Sequence, residues 1–378
     1  MKQVSPEKVI SFLKKCTIFF FAFGNVSLLI LFAVGFAARW LPSNGYWWAQ
    51  VVAVGLDTLA LLLLLFGLIW LLARKRYWAL GNAIGVLLWA VRFFPFTFQS
   101  QNPQPDDLAL LGYNLSFQVN TTYEHDLVQF HQFFRQLSPA LATFQEGHTW
   151  KTDTAPFYKV TPHLRFLVDS LKYHVAIYDS LNQLVEPAIL ANDNLKLGNI
   201  TPIRGGLWVP GNVRLPKAIF GLRVPIEWQG RKAVLYSFHL NSLGDNKPWN
   251  YFKKWERSDT WNIFEQQYRV AYQIQFEQVT KIKAMMQRET DPIIIMGDFN
   301  NTMHHWAYHE LAEGMQDVFL EAGTGWGGTY HSSLPLVRID HILVSKEWEV
   351  VSASVPQVSF SDHLPVQARI RWRKENDE

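Results

Sequence analysis

The chain of 378 residues is long enough for more than one domain, and its charge is unevenly placed. The first 99 residues hold nine Lys/Arg against two Asp/Glu, so a whole-chain charge of +3 leaves −4 for the remainder. That weakens the case for a broad basic nucleic-acid face and leaves room for a local groove, while the single cysteine, Cys16, excludes an intrachain disulfide and cysteine-based zinc clusters.

After a basic stretch, 1–16, residues 17–38 carry no charge. At about 1.5 Å per helical residue they span a hydrocarbon core of roughly 30 Å. Further apolar runs at 47–73 and 77–98 predict three transmembrane helices; a cleaved signal peptide would show one shorter run. Trp47, Trp48 and Trp70 flank the Leu-rich second run as interfacial residues do, which argues against buried core helices. Lys2, Lys8, Lys14 and Lys15, with the Arg74-Lys75-Arg76 turn, place the N-terminus in the cytoplasm. The expected protein is therefore multi-pass in the cell (inner) membrane, with everything after the third span exoplasmic or periplasmic. Asp57 and Arg92 lie at equal depth in the hairpin of the second and third spans, where they either pair or leave Arg92 to snorkel.

Residues 99–107, rich in Gln, Asn, Pro and Asp, read as a linker. A strand over 108–113 and a helix over 125–137 come next, the helix from the spacing of Leu127, Phe130, Phe134 and Leu137. A second strand covers 140–144, and short strands are expected at 175–178, 187–190, 218–224 and 233–238. An aromatic, Lys-bearing loop, 244–260, suits either packing or a headgroup interface. A long amphipathic helix over 264–286 feeds a β-branched strand that ends in Gly297-Asp298-Phe299-Asn300, and a helical piece lies at 309–313. Further strands lie near Tyr330, at 339–344 and at 366–371. Strands alternating with helices and then crowding together predict an α/β (α+β) domain of two sheets with helices outside.

Polar residues end strand after strand: Asn114, Glu146, His239 with Asn241, Asp298 with Asn300, Asp340, and Asp362 with His363. Strand ends are where α/β domains gather their sites. Hard oxygen donors with imidazole suit Mg²⁺ or Mn²⁺, and such a set performs metal-assisted attack of water on phosphorus. Beside it, His341 reads as structural, His304 and His305 as surface residues at a helix entry, and Asn301 as that helix's cap.

Six motifs together, Tyr113-Asn114, Gln145-Glu146, Ser237-Phe238-His239-Leu240-Asn241, Gly297-Asp298-Phe299-Asn300, Arg338-Ile339-Asp340-His341 and Ser361-Asp362-His363, resemble the endonuclease/exonuclease/phosphatase superfamily over residues 106–373. The three spans look like its membrane-bound branch. The resemblance implies a four-layer α/β/β/α sandwich with two mixed sheets. It implies Glu146, assisted by Asn114 and Asp362, on the metal, and Asp298 on the attacking water. Asn300, Asn241 and Arg204 would contact phosphate, His239 would stand at a catalytic position, and Asp340 would fix His363, which stabilises the transition state. The expected activity is a Mg²⁺- or Mn²⁺-dependent phosphoesterase acting on a lipid-linked or small substrate. A membrane-tethered nuclease, or a non-catalytic binding protein on the same fold, is the alternative.

Overall fold

A computed structural model describes residues 6–93, 101–115, 123–147, 162–176, 187–205, 219–243, 258–330 and 337–374. The apolar N-terminal runs are helical: α1 (Pro6–Ala37), continued by a 3-10 turn (Ala38–Trp40), then α2 (Trp47–Val54), α3 (Leu56–Leu72) and α4 (Arg76–Phe93).

The expectation of three spans is reduced. Among the described residues one helix, Val9–Trp40, is long and apolar enough to cross a membrane. The second run is broken at Gly55, where α2 and α3 meet at 62° and qualify only if taken together. Gly55 sits at the break, and before it α2 lies against the large domain, with Trp47 packed edge-on against Phe264. Inside the helical unit Asn25 Oδ1 accepts from Trp70 Nε1 (2.9 Å) and from Asn82 Nδ2 (2.8 Å), tying α1, α3 and α4 together. Outward-facing Phe19, Phe20, Phe23, Leu65, Leu72 and Leu87 are exposed.

The large domain continues with β1 (Leu108–Asn114), α5 (Tyr123–Leu137), β2 (Leu141–Gln145), α6 (Pro162–Asp169), β3 (His174–Ala176), β4 (Ala188–Ala191), β5 (Leu195–Leu197) and β6 (Thr201–Arg204). It is completed by β7 (Ile219–Trp228), β8 (Arg231–His239), α7 (Ser258–Met286), β9 (Ile293–Asp298), α8 (Trp306–Ala312), β10 (Met315–Asp317), α9 (Val318–Ala322), β11 (Asp340–Ser345), β12 (Trp348–Ser354) and β13 (Val366–Trp372). One sheet runs β12-β13-β1-β2-β4-β3; the other runs β10-β11-β9-β8-β7-β5, with β6 also paired to β7. Both sheets are mixed: β1/β2 and β8/β9 are parallel, joined through α5 and α7, and the remaining pairs are antiparallel. The expected strand at Tyr330 is an isolated bridge to Val337 and His363. The part of the expected linker that is described lies along the domain, Gln101 N donating to Val351 O.

Side-chain alternation sorts each strand between two cores. On β1, Leu108 and Leu110 face the other sheet, while Leu111 and Tyr113 face Phe130 and Phe134 of α5. On β8 and β9, Leu235, Ile294 and Met296 face inward, while Val234, Tyr236 and Ile295 meet Val279 and Ile282 of α7. Truncating such a fully buried side chain, Ile294→Ala for example, costs about 2–5 kcal/mol. The same parity sets Asn114, His239, Asp298 and Asp340 on the inward rows of β1, β8, β9 and β11. The candidate site is thus the polar end of the inter-sheet core.

Candidate active site

The site begins where β8, β9 and β11 stop. In the parallel β8/β9 pair His239 stands opposite Asp298, and in the antiparallel β9/β11 pair Asp340 stands opposite Asp298. This close approach needs Gly297, because a Cβ there would run into the Phe238 carbonyl. Asp298 is buried, and its Oδ2 accepts from Asn114 Nδ2 (2.9 Å) and lies 3.4 Å from His239 Nε2. Its Oδ1 accepts from the Asn300 amide (2.7 Å), a two-residue Asx turn.

Asn300 itself has φ 50°, a left-handed backbone that asparagine tolerates better than most residues, and its Nδ2 donates to Leu240 O (3.0 Å). Glu146, directly after β2, also has positive φ (51°). A non-glycine residue held there is strained and marks a place where the surroundings over-determine the chain. Glu146 is one-quarter exposed and reaches to 3.8 Å from His239 Nε2.

On the opposite wall His363 Nδ1 donates to Asp340 Oδ2 (2.9 Å). The His363 ring meets Tyr330 edge-on, and its amide donates to Ser361 Oγ (3.1 Å). Ser361 Oγ in turn donates to Asn114 O (2.8 Å), closing the ring of strand ends. Burial alone would keep His363 neutral, yet Asp340, Asp298 and Asp362 outweigh it and raise its pKa to about 10. Burial likewise pushes the Asp298 carboxyl up, but His239, His363, the Asn300 amide and Asn114 hold it below its ordinary value. The site thus sets a carboxyl held low, Asp298, near an imidazole held high, His363, while burial first of all raises Asp340 between them.

The donor set fits a divalent cation. Asp298, Asp340 and His363 each offer one ligand atom, all within 4.8 Å of one another, and Asp340 Oδ1 is buried with no hydrogen-bond partner. This trio differs from the expected set of Glu146, Asn114 and Asp362. Asp340 and Asp298 are hard oxygen donors of the kind Mg²⁺ or Mn²⁺ prefers, and imidazole suits Mn²⁺ as well. Asp362 is half-buried, 3.5 Å from Ser361 Oγ.

Of the expected phosphate contacts, Asn241 follows His239 by two residues; its amide donates to Gln278 Oε1, its carbonyl accepts from Gln275 Nε2 and its Nδ2 donates to Ser242 O. Arg204 ends β6, separated from β8 by β7. The aromatic loop over 244–257 lies outside the described residues.

Three neighbouring readings are corrected. His304 and His305 are buried, each 1% exposed, because the loop between Asn300 and Trp306 is covered by the helical unit. Burial and the neighbouring His304 push the His305 imidazole down to about 3. Asn301 does not cap α8: its Nδ2 donates to Phe299 O, and His305 holds the cap position. His341 is structural as expected, its Nε2 donating to Asn301 O (3.0 Å). Sequence reasoning passed over Thr329, whose Oγ1 accepts from the amides of Ile339 and Asp340, and Asp317, which binds Arg338. The position of Arg338 within a strand-start motif was the signal for the second.

The family model described as Endonuclease/Exonuclease/phosphatase family matches residues 111–363. The chain belongs to that family. Family members are hydrolases acting on phosphoester bonds and generally use divalent metals. No curated protein matches the chain. Among solved structures it is similar to the human Nocturnin catalytic domain with bound sulfate anion, at 16% identity and TM-score 0.47, covering 72% of this chain and 97% of that one. A family protein from Bacteroides thetaiotaomicron is similar at 17% identity and TM-score 0.48, covering 72% and 100%. D. rerio TDP2 complexed with single-strand DNA product is similar at 14% and 0.47, covering 70% and 99%.

Proposed function

We propose that the protein is a membrane-anchored, divalent-metal-dependent phosphoesterase that hydrolyses a phosphate ester or pyrophosphate bond of a lipid-linked or small substrate. The observation that carries the reading is the convergence of Asp298, Asp340 and His363 at one buried strand-end cluster, a ligand atom of each lying within 4.8 Å of the others. Asp298 accepts a hydrogen bond from the attacking water and aims it, held in place by Asn114 and the Asn300 amide. His363, oriented by Asp340, donates to a phosphoryl oxygen as negative charge develops and carries the proton the leaving oxygen needs. His239 and the Asn300 side chain supply further donors around phosphate. A divalent cation held by Glu146, Asn114 and Asp362 would polarise the phosphoryl group.

The anchoring half of the proposal rests on the exposed apolar side chains along α1, α3 and α4, Phe19, Phe20, Leu65, Leu72 and Leu87 among them. The Arg74-Lys75-Arg76 turn lies at the end of the helical unit away from the domain, which fits a cytoplasmic turn and an exoplasmic or periplasmic site. A −4 domain beside a bilayer favours a lipid-linked substrate over nucleic acid. The deciding experiment is a substrate panel on the purified full chain: polyprenyl pyrophosphate, sphingomyelin and plasmid DNA, with and without Mg²⁺. Release of phosphate or headgroup from lipid supports the reading; cleavage of DNA alone selects the nuclease.

A further inference from the structure

Asp57 is the only acidic residue between Glu7 and Asp106. The expected pairing with Arg92 falls on a side chain outside the described residues. The hairpin register brings Asp57 to Trp89, one helical turn before position 92 on α4, and to the large domain. Asp57 Oδ1 accepts from Trp89 Nε1 (2.8 Å) and from His304 Nε2 (2.8 Å). His304 belongs to the loop that starts at Asp298 and Asn300. That loop is bonded along its length. The Phe299 amide donates to Ile339 O, the Thr302 amide to His305 Nδ1 and the His305 amide to Thr302 O. A second strap ends it: the Trp306 amide donates to Gln50 Oε1 (3.1 Å), while Gln50 Nε2 donates to Ala38 O and Leu41 O. Met303 packs into the apolar cluster of α1, α3 and α4.

The loop thus has the catalytic carboxylate and the strained Asn300 at one end and the helical unit at the other. We propose that Asp57 and His304 are a positioning pair, through which the helical unit holds the Asp298–Trp306 loop in its catalytic shape. The pair touches no reacting atom and acts through the backbone of Asn300. Its catalytic consequence rests on the phosphoesterase reading. A shift of about 1 Å in a positioned group can cost on the order of 100-fold in rate.

The test uses the full chain in detergent and two readouts. Amide hydrogen exchange by mass spectrometry needs no turnover: Asp57→Ala is expected to speed exchange at least tenfold over 299–306 and leave β7 and β8 unchanged. Turnover of bis(p-nitrophenyl) phosphate with Mg²⁺ is expected to fall about ten- to hundredfold in kcat, with KM within twofold. Since Asp57→Ala strips a buried donor of its acceptor, two milder variants run beside it. Asp57→Asn keeps an acceptor oxygen and His304→Gln keeps an N–H donor, and each is expected to retain at least a third of wild-type kcat. Unchanged exchange over 299–306 overturns the pair, as does a loss confined to thermal stability with kcat intact. Asp298→Asn tests the chemistry alone, so the reaction and the positioning pair fail separately.

Discussion

Asp317 is a heavily bonded, buried carboxylate of the domain core, and replacing it tests how the wall bearing Asp340 is held. Its Oδ1 accepts from Arg338 Nη1 (2.8 Å) and from the amides of Phe319 (2.9 Å) and Leu320 (3.2 Å); its Oδ2 accepts from Arg338 Nη1 (2.8 Å) and Tyr308 OH (2.7 Å). Arg338 is only 7% exposed, so Asp317→Asn strands a guanidinium with no carboxylate to answer it. Breaking one side of a buried pair costs about 3–5 kcal/mol. At about 2–4 °C per kcal/mol for a domain of this order, the melting temperature should fall by roughly 6–20 °C. The pH dependence has a definite sign. Burial pushes the Asp317 carboxyl up, but Arg338 and His341 hold it well below its ordinary value. A depressed carboxyl contributes its full stability above the unfolded pKa of about 3.9 and loses it only as the pH falls below that. The gap between wild type and Asp317→Asn should therefore stay constant from pH 8 to 5 and narrow only in stronger acid. Intrinsic tryptophan fluorescence melts across that range measure it. A shift under about 2 °C at pH 7, or a gap that closes between pH 8 and 5, refutes the reasoning.

Asp298→Asn should lower kcat by about 10²–10⁴-fold with little change in volume, and His363→Ala should be comparably severe; near-normal turnover in both on the true substrate would sink the site assignment. Chelation should abolish activity and Mg²⁺ or Mn²⁺ restore it, with Glu146→Gln needing more metal for half-maximal rate; full turnover in excess chelator would discard the metal. A reporter after Glu378 should read out on the exoplasmic or periplasmic side while a tag in the Arg74-Lys75-Arg76 turn reads cytoplasmic, and a cytoplasmic C-terminus would reverse the topology.

The strands that carry the site were legible because their signals are local. The β-branched run before Gly297, and the alternation that sets Asn114, His239, Asp298 and Asp340 on inward rows, need nothing beyond neighbouring residues. What escaped the sequence depends on partners far along the chain. His304 looks like a polar residue entering a helix until a helix 247 positions earlier covers it. Asp317 looks like a helix cap, which it is, until Arg338 arrives from across the sheet. The second apolar run reads as one span by composition, yet bends by 62° at Gly55, and α2 lies with Trp47 against Phe264, a partner distant in the chain. The short strands β5, β6 and β10 hold three or four residues each, too few for a period to register.

The bond of Asn25 to Trp70 and Asn82 has a consequence for assembly. Between apolar helices, contacts of one leucine-like side chain with another scarcely distinguish one sliding position from the next. A buried carboxamide that must find two particular donors does distinguish them. Slipping α3 by one turn along α1 would strand that carboxamide and carry Asp57 about 5.4 Å from where His304 waits. A polar contact deep in the apolar bundle thereby acts as an alignment mark for a joint at its far end. The alignment of the bundle and the seat of His304 are in this sense a single geometric condition.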